Sequence, residues 1–121
     1  MKELKAFIYC RVLDEQAKDL LDYQEDELSD LLDYLDMKIV AVAKETSSGK
    51  NFCSRGVQKL IHYIVSEKID AVVVYDETRL AIYDDLYTEF QMICDKHDVD
   101  ILTIYDLKRK IFTNSILQSH D

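Results

Sequence analysis

Apolar residues along this chain follow two rhythms, short unbroken runs and longer stretches spaced three and four residues apart. The runs Leu4–Tyr9, Ile39–Ala43, Ala71–Tyr75 and Ile101–Tyr105 read as four strands. The third, Ala71-Val72-Val73-Val74-Tyr75, is almost free of polar residues, as a parallel strand covered on both faces requires. Between the runs, Leu20, Leu21, Leu28, Leu31, Leu32 and Leu35 recur at helical spacing, as do Val57, Leu60, Ile61, Ile64 and Val65. A third helical stretch runs from Asp84 to His97, with Leu86, Tyr87, Phe90, Ile93 and Cys94 turned inward. This alternation predicts an α/β, three-layer domain with a mainly parallel central sheet of four to five strands. In such sheets polar chemistry collects at the carboxyl ends of strands. Three loops therefore matter: residues 9–16, 44–55 and 76–83. The pattern divides the chain into a domain over 1–106 and a weakly patterned tail over 107–121, which reads equally as short helix, strand or disorder. Glycine occurs twice and proline never, so element ends are read from periodicity and polar breaks alone.

Length and charge narrow the function classes. At 121 residues the chain suits one domain with a core of its own. It carries 15 basic against 24 acidic residues, a net charge of −9. Because each phosphate contact on DNA calls for a Lys or Arg, weak or no DNA binding is expected of the chain alone. Ten carboxylates lie from Asp14 to Asp36 with Lys18 the only basic residue among them. That face reads as solvated, or as DNA mimicry or a dock for a basic partner. Eight tyrosines are many for this length. Tyr23, Tyr34, Tyr63, Tyr83 and Tyr87 are expected at the surface, marking an interface or capping the core with their hydroxyls in water. Cys10, Cys53 and Cys94 are widely spaced and do not cluster with His62, His97 or His120. Free thiols in a reducing compartment are expected, with no metal and no cofactor. No apolar run reaches bilayer length, and Met1 to Ala6 lacks the apolar stretch of a signal peptide. A cytoplasmic protein with no membrane contact is expected.

The three loops, taken together, carry a family likeness. The first strand leaves through Tyr9-Cys10-Arg11-Val12-Leu13, with Gln16 three residues on. The second loop holds Glu45-Thr46-Ser47-Ser48-Gly49, and Arg55 follows. The third reads Asp76-Glu77-Thr78-Arg79-Leu80-Ala81-Ile82. In this order they resemble the Tyr-x-Arg-Val-Ser, Asp-x-x-Ser-Gly and Asp-Arg-Leu-x-Arg segments of serine recombinases, the resolvases and invertases. The likeness spans residues 4–106.

That resemblance implies a resolvase-like fold and a DNA strand-exchange ancestry. Family members attack a phosphodiester with the serine hydroxyl, form a 5′-phosphoseryl link, exchange strands within a tetramer and religate. Arginines stabilise the charge that builds on the phosphorus oxygens. Here the position of the nucleophile is Leu13, that of the motif's Asp is Thr78, and that of its second Arg is Ile82. Leucine has no oxygen and no lone pair, and neither Cys10, Asp14 nor Ser48 is expected to replace it. No catalytic residue is expected, since the loss of one positioned donor alone costs ~2.7–4 kcal/mol of transition-state stabilisation. Arg11, Ser48, Arg55 and Arg79 read either as a residual anion pocket or as structural groups bonding loop carbonyls and pairing with Glu45, Asp76 or Glu77. Tyr9, Gln16, Glu45 and Gly49 are the other matching positions, Gln16 as a polar contact at a helix start.

Family enzymes continue into a long dimerising helix and a DNA-reading domain. The expectation here is that both are absent, Lys108, Arg109 and Lys110 being the only basic run. The resulting expectation is an inactive recombinase-like pseudoenzyme, acting on a protein partner or as a homo-oligomer. It would modulate a complete recombinase or persist as a relic of a mobile element. The rival readings are an active recombinase fragment, a phosphate-binding enzyme using other chemistry in the same cleft, and a regulatory module unrelated to DNA. Against the phosphate enzyme, two glycines cannot build a phosphate loop. Whether Leu13 is exposed or collapsed into the core is open at this stage.

Overall fold

The structure, a computed structural model, describes residues 3–119. Four strands, β1 (Lys5–Val12), β2 (Lys38–Thr46), β3 (Ala71–Val74) and β4 (Asp100–Thr103), alternate with four helices. These are α1 (Asp19–Tyr34), α2 (Arg55–Val65), α3 (Asp84–Lys96) and α4 (Ile104–Ser119). The strands form one sheet in the order β2-β1-β3-β4, every neighbouring pair parallel. From β1 the chain steps to one side, then crosses back over β1 to β3. A crevice therefore opens between the carboxyl ends of β1 and β3, the place where such sheets carry their sites.

Alternation along β1 sorts the core. Ala6, Ile8, Cys10 and Val12 face α1 and α4, packing with Leu21, Leu28, Leu32, Val73 and Leu107. Phe7 and Tyr9 face α2 and α3, packing with Leu60, Ile64, Val72, Val74, Phe90 and Cys94. All four residues of β3 are buried, as a strand inside a covered parallel sheet must be.

Several bounds and faces differ from the sequence expectations. β1 extends to Val12 and β2 to Thr46, so the residues expected in loops 9–16 and 44–55 partly belong to strands. β3 stops at Val74, and β4 stops at Thr103 because Ile104 begins a helix. The weakly patterned tail enters α4, which starts before residue 107; positions 120 and 121 lie outside the described residues. Leu20 and Val65 are nearly half exposed although their spacing put them inward. Each lies one position off a buried neighbour, Leu21 or Ile64, that fills the stripe instead. Tyr63 and Tyr87, expected at the surface, are partly buried against the α2/α3 core.

Scarce glycine is explained at the helix ends. Asp36, Glu67 and Asp98 adopt left-handed φ of 58°, 56° and 56° just beyond α1, α2 and α3. Each end is closed twice: the N–H groups of Met37, Lys68 and Val99 reach back to the carbonyls of Leu32, Tyr63 and Cys94 at 3.0, 3.0 and 2.9 Å. Those of Asp36, Glu67 and Asp98 bond Asp33, Ile64 and Asp95. This is the doubly bonded stop that glycine usually makes.

Candidate functional site

Two short 3-10 turns wall the crevice. At the exit of β1, Asp14 is extended and accepts from the N–H groups of Gln16 (3.0 Å) and Ala17 (3.2 Å), starting the turn Glu15–Ala17. At the exit of β3, Asp76 accepts from the N–H of Thr78 (3.0 Å) and from its hydroxyl, starting the turn Glu77–Arg79. Both are short carboxylates capping orphan backbone donors.

Between the turns lies Arg11, the next residue after Phe7 and Tyr9 on the same face of β1. Its side chain is 4% exposed. Nε donates to the carbonyl of Arg79 (2.9 Å), Nη1 to that of Ser47 (2.7 Å) and Nη2 to that of Thr78 (2.5 Å). One guanidinium thus ties the β2 exit to the β3 exit. Burial pulls it below its ordinary pKa. Its backbone is held as firmly. Gln24 of α1 accepts from the Arg11 N–H (3.3 Å) and donates to the Arg11 carbonyl (3.2 Å), which also accepts from Arg79 Nη1 (3.1 Å). Gly49, at φ +71°, presses on the guanidinium: a Cβ there would stand 2.7 Å from Arg11 Cζ and 3.0 Å from Ile82 Cγ1. Only glycine suits both that backbone angle and that approach.

Glu45 organises the neighbouring corner. Its Oε2 accepts from the Tyr9 hydroxyl (2.5 Å) and the Ser54 hydroxyl (2.7 Å), and its Oε1 accepts from the Gly56 N–H (2.9 Å). A Cβ on Gly56 would lie 2.6 Å from Glu45 Cδ, so glycine is needed for the carboxylate to seat. The carboxylate occupies the amino-terminal end of α2, where the helix dipole favours a negative group. Burial, and then the bond to Glu45, push the Tyr9 hydroxyl well above its ordinary range. The expected Arg–Glu45 pairing gives way to these three donors. The acid–base pair in the cleft is Arg79–Asp76, with Nε 3.6 Å from Oδ2.

The remaining positions form an exposed rim. Leu13 is 64% and Ile82 40% exposed. Gln16, Ser48 and Arg55 are exposed as well. Ser48 Oγ accepts from the Lys50 N–H (3.2 Å), and Arg55 is the first residue of α2. The fold therefore brings together Tyr9, Arg11, Glu45, Gly49, Thr78 and Arg79, and leaves Leu13, Gln16, Ser48, Arg55 and Ile82 around them. Cys10 is fully buried on the opposite face of β1, its thiol pushed up to about 12 by burial. Cys94 is buried and Cys53 exposed. Gln24, Ser54 and Gly56 were not singled out in the sequence. Gln24 had a signal: it lies three residues after Leu21 and four before Leu28, on the inward stripe of the helix. Among the described residues no group of three His, Cys, Asp or Glu is arranged to hold a metal ion. Nor is any described helix long and apolar enough to cross a membrane.

The fold is shared with known proteins. The family described as Resolvase, N terminal domain, matches residues 6–116. Three solved structures illustrate the likeness in fold. The C-terminal catalytic domain of ISC1926 TnpA, an IS607-like serine recombinase, superposes with a TM-score of 0.79 at 24% identity, over 97% of this chain and 82% of that one. The N-terminal catalytic domain of TP901-1 integrase gives 0.73 at 20% identity, over 97% and 98%. A serine recombinase from Sulfolobus solfataricus gives 0.73 at 25% identity, over 98% and 83%.

Proposed function

The chain belongs to the resolvase N-terminal domain family, and from that premise we propose that it is a catalytically inactive member working through protein contacts, as a modulator of a complete DNA recombinase. The observation that carries this reading is Leu13. It stands exposed at the exit of β1, where the family motif has its serine, and offers only hydrocarbon. Displacement at phosphorus needs an oxygen or sulfur lone pair beside a group that orients it. The thiol three residues back along the chain, Cys10, faces the other side of the sheet and is held protonated by burial.

The charge side of the reaction is weakened too. Arg11 points its donors at three backbone carbonyls. Ile82 places an alkyl group where the motif has its second arginine. The end of α2, a ready anion site in other folds, is filled by Glu45. An anion entering the cleft would meet Arg79 on the floor and Ser48 and Arg55 on the rim, a residual pocket without a nucleophile. A net charge of −9 favours a protein partner over a DNA surface.

The test is affinity purification of the tagged chain from its native cell, with mass spectrometry of what accompanies it. A complete serine recombinase in the eluate, retained at moderate salt, is the expected result. Its consistent absence would remove the modulator reading. A thermal shift with inorganic phosphate checks the pocket separately: stabilisation that disappears in Arg55→Gln and Ser48→Ala supports it, and a flat response dismisses it.

A further inference from the structure

The two edges of the sheet are unequal. β4, at one edge, is four residues long, and Arg109 and Lys110 of α4 line the cavity beside it. β2, at the other, runs for nine residues and pairs only with β1 among the described residues. The Ser47 N–H, one residue past its end, bonds the Val12 carbonyl at 3.1 Å. Alternate residues of a parallel strand turn their backbone groups the same way. Ala41, Ala43 and Glu45 therefore bond inward to β1, while Val42, Lys44 and Thr46 present their N–H and C=O groups outward. The one shift of register lies earlier, between Ala6 and Phe7 of β1, and pairing is regular from Ala41 to Thr46. Sheets guard such an edge with proline, a short strand, a bulge or an outward lysine. The chain has no proline, and the lysine placed along this regular stretch is turned away. Lys44 Nζ lies 2.9 Å from Asp22 Oδ1 and 2.8 Å from Glu25 Oε1, both on α1.

The flanks of this edge differ in chemistry. On the α1 side two carboxylates meet one ammonium, the Asp22 side chain is 76% exposed, and exposed Asp26 follows one turn on. On the α2 side Ala41 and Ala43 are short, and with Val40 and Ile61 they form an apolar shelf. We propose that β2 is a docking edge for an extended segment of a partner protein in which basic residues alternate with apolar ones. Added as a further strand, the segment bonds Val42, Lys44 and Thr46 through its backbone. Its successive side chains point to opposite faces, so the basic set meets Asp22 and Asp26 and the apolar set meets the alanine shelf. An acidic segment is repelled from the α1 flank. The inference rests on the reading that the domain works through protein contacts, and the two fail separately. A recombinase missing from the eluate would leave an edge that still takes the segment, and an edge that takes none would leave the recombinase contact to another surface.

The experiment adds a short capped peptide alternating arginine with valine to the full chain in moderate salt, and follows the backbone amides by NMR. The amides of Val42, Lys44 and Thr46 gain protection from hydrogen exchange as the peptide saturates. N-methylation of one alternate set of peptide residues abolishes binding and that of the other set does not, because only one set turns its N–H groups towards β2. The set that matters gives the direction of the added strand. Replacing the arginines by glutamates also abolishes binding. The double variant Asp22→Asn/Glu25→Gln binds more weakly, since it removes the attraction and frees Lys44 to stand over the edge. Circular dichroism checks that this variant is folded, and the wild-type series stands whatever it does. A peptide that fails to bind the wild-type chain overturns the proposal. So does binding that leaves the three amides exchanging freely, or that survives N-methylation of each set in turn.

Discussion

The floor and the rim of the cleft follow different rules. On the floor, Tyr9, Arg11, Glu45 and Gly49 sit at motif positions in a network of close contacts, while Thr78 beside them stands where the motif has Asp. Arg11 reaches three carbonyls, Glu45 accepts from three donors, and Gly49 lies against the guanidinium. On the rim, Leu13 and Ile82 depart from the pattern and are exposed. Residues that a motif singles out can thus serve to hold the backbone together. Removing Arg11 would strand acceptors in two loops, whereas replacing a rim side chain leaves no buried group without a partner. A rim side chain can therefore change while the bonded floor stays in place.

The contrast can be broken in measured steps. Arg11→Met should cost most, at least about 3 kcal/mol by urea unfolding, since bonds from a charged donor contribute ~1.5–3 kcal/mol each. Glu45→Ala follows at about 2–3 kcal/mol, because it leaves the Tyr9 hydroxyl and the Gly56 N–H without their acceptor. Gly49→Ala should lose roughly 1–3 kcal/mol, from a left-handed backbone and a Cβ pressed into Arg11. The fourth test is alkaline pH. In the unfolded chain Tyr9 ionises near pH ~10, while in the fold its pKa is raised. Its contribution is complete below about pH 10 and then falls by roughly 1.4 kcal/mol per pH unit until the folded group ionises as well. Cys10 and Cys94, both pushed up to about 12 by burial, add a similar decline that begins at the lower pKa of unfolded thiols. Tyr9→Phe should therefore flatten the curve only above about pH 10. The smallest effect belongs to the rim: Leu13→Ser and Ile82→Arg should each move stability by no more than about 0.5 kcal/mol. A large loss from either would show that the rim is structural after all.

Much of the fold was legible because its signals are local. β3 is an uninterrupted apolar run and lies buried in the middle of the sheet, and Leu21, Leu28 and Leu32 keep the period that seats α1. Helix and strand ends were harder. With Asp36, Glu67 and Asp98 doing the work of glycine, nothing in the composition marked the stops. The site divided in the same way. The motifs located the three loops, because short patterns at strand exits survive without knowledge of contacts. They could not tell floor from rim, since Arg11 and Arg55 look alike in sequence while one is buried and bonded to two loops and the other is open to water. The exposure of Leu13 was equally out of reach, because it depends on where β1 ends and the Asp14-capped turn begins.

The proposed loss of cleavage chemistry at the rim can be examined on DNA itself. The purified chain is incubated with supercoiled plasmid carrying candidate recombination sites, quenched in denaturant, and searched for protein covalently attached to DNA ends. The expected result is intact supercoiled plasmid and no attached protein at any concentration. A phosphorylated side chain in the cleft, recovered as a DNA-linked peptide, would contradict it and name the nucleophile that replaces the missing serine.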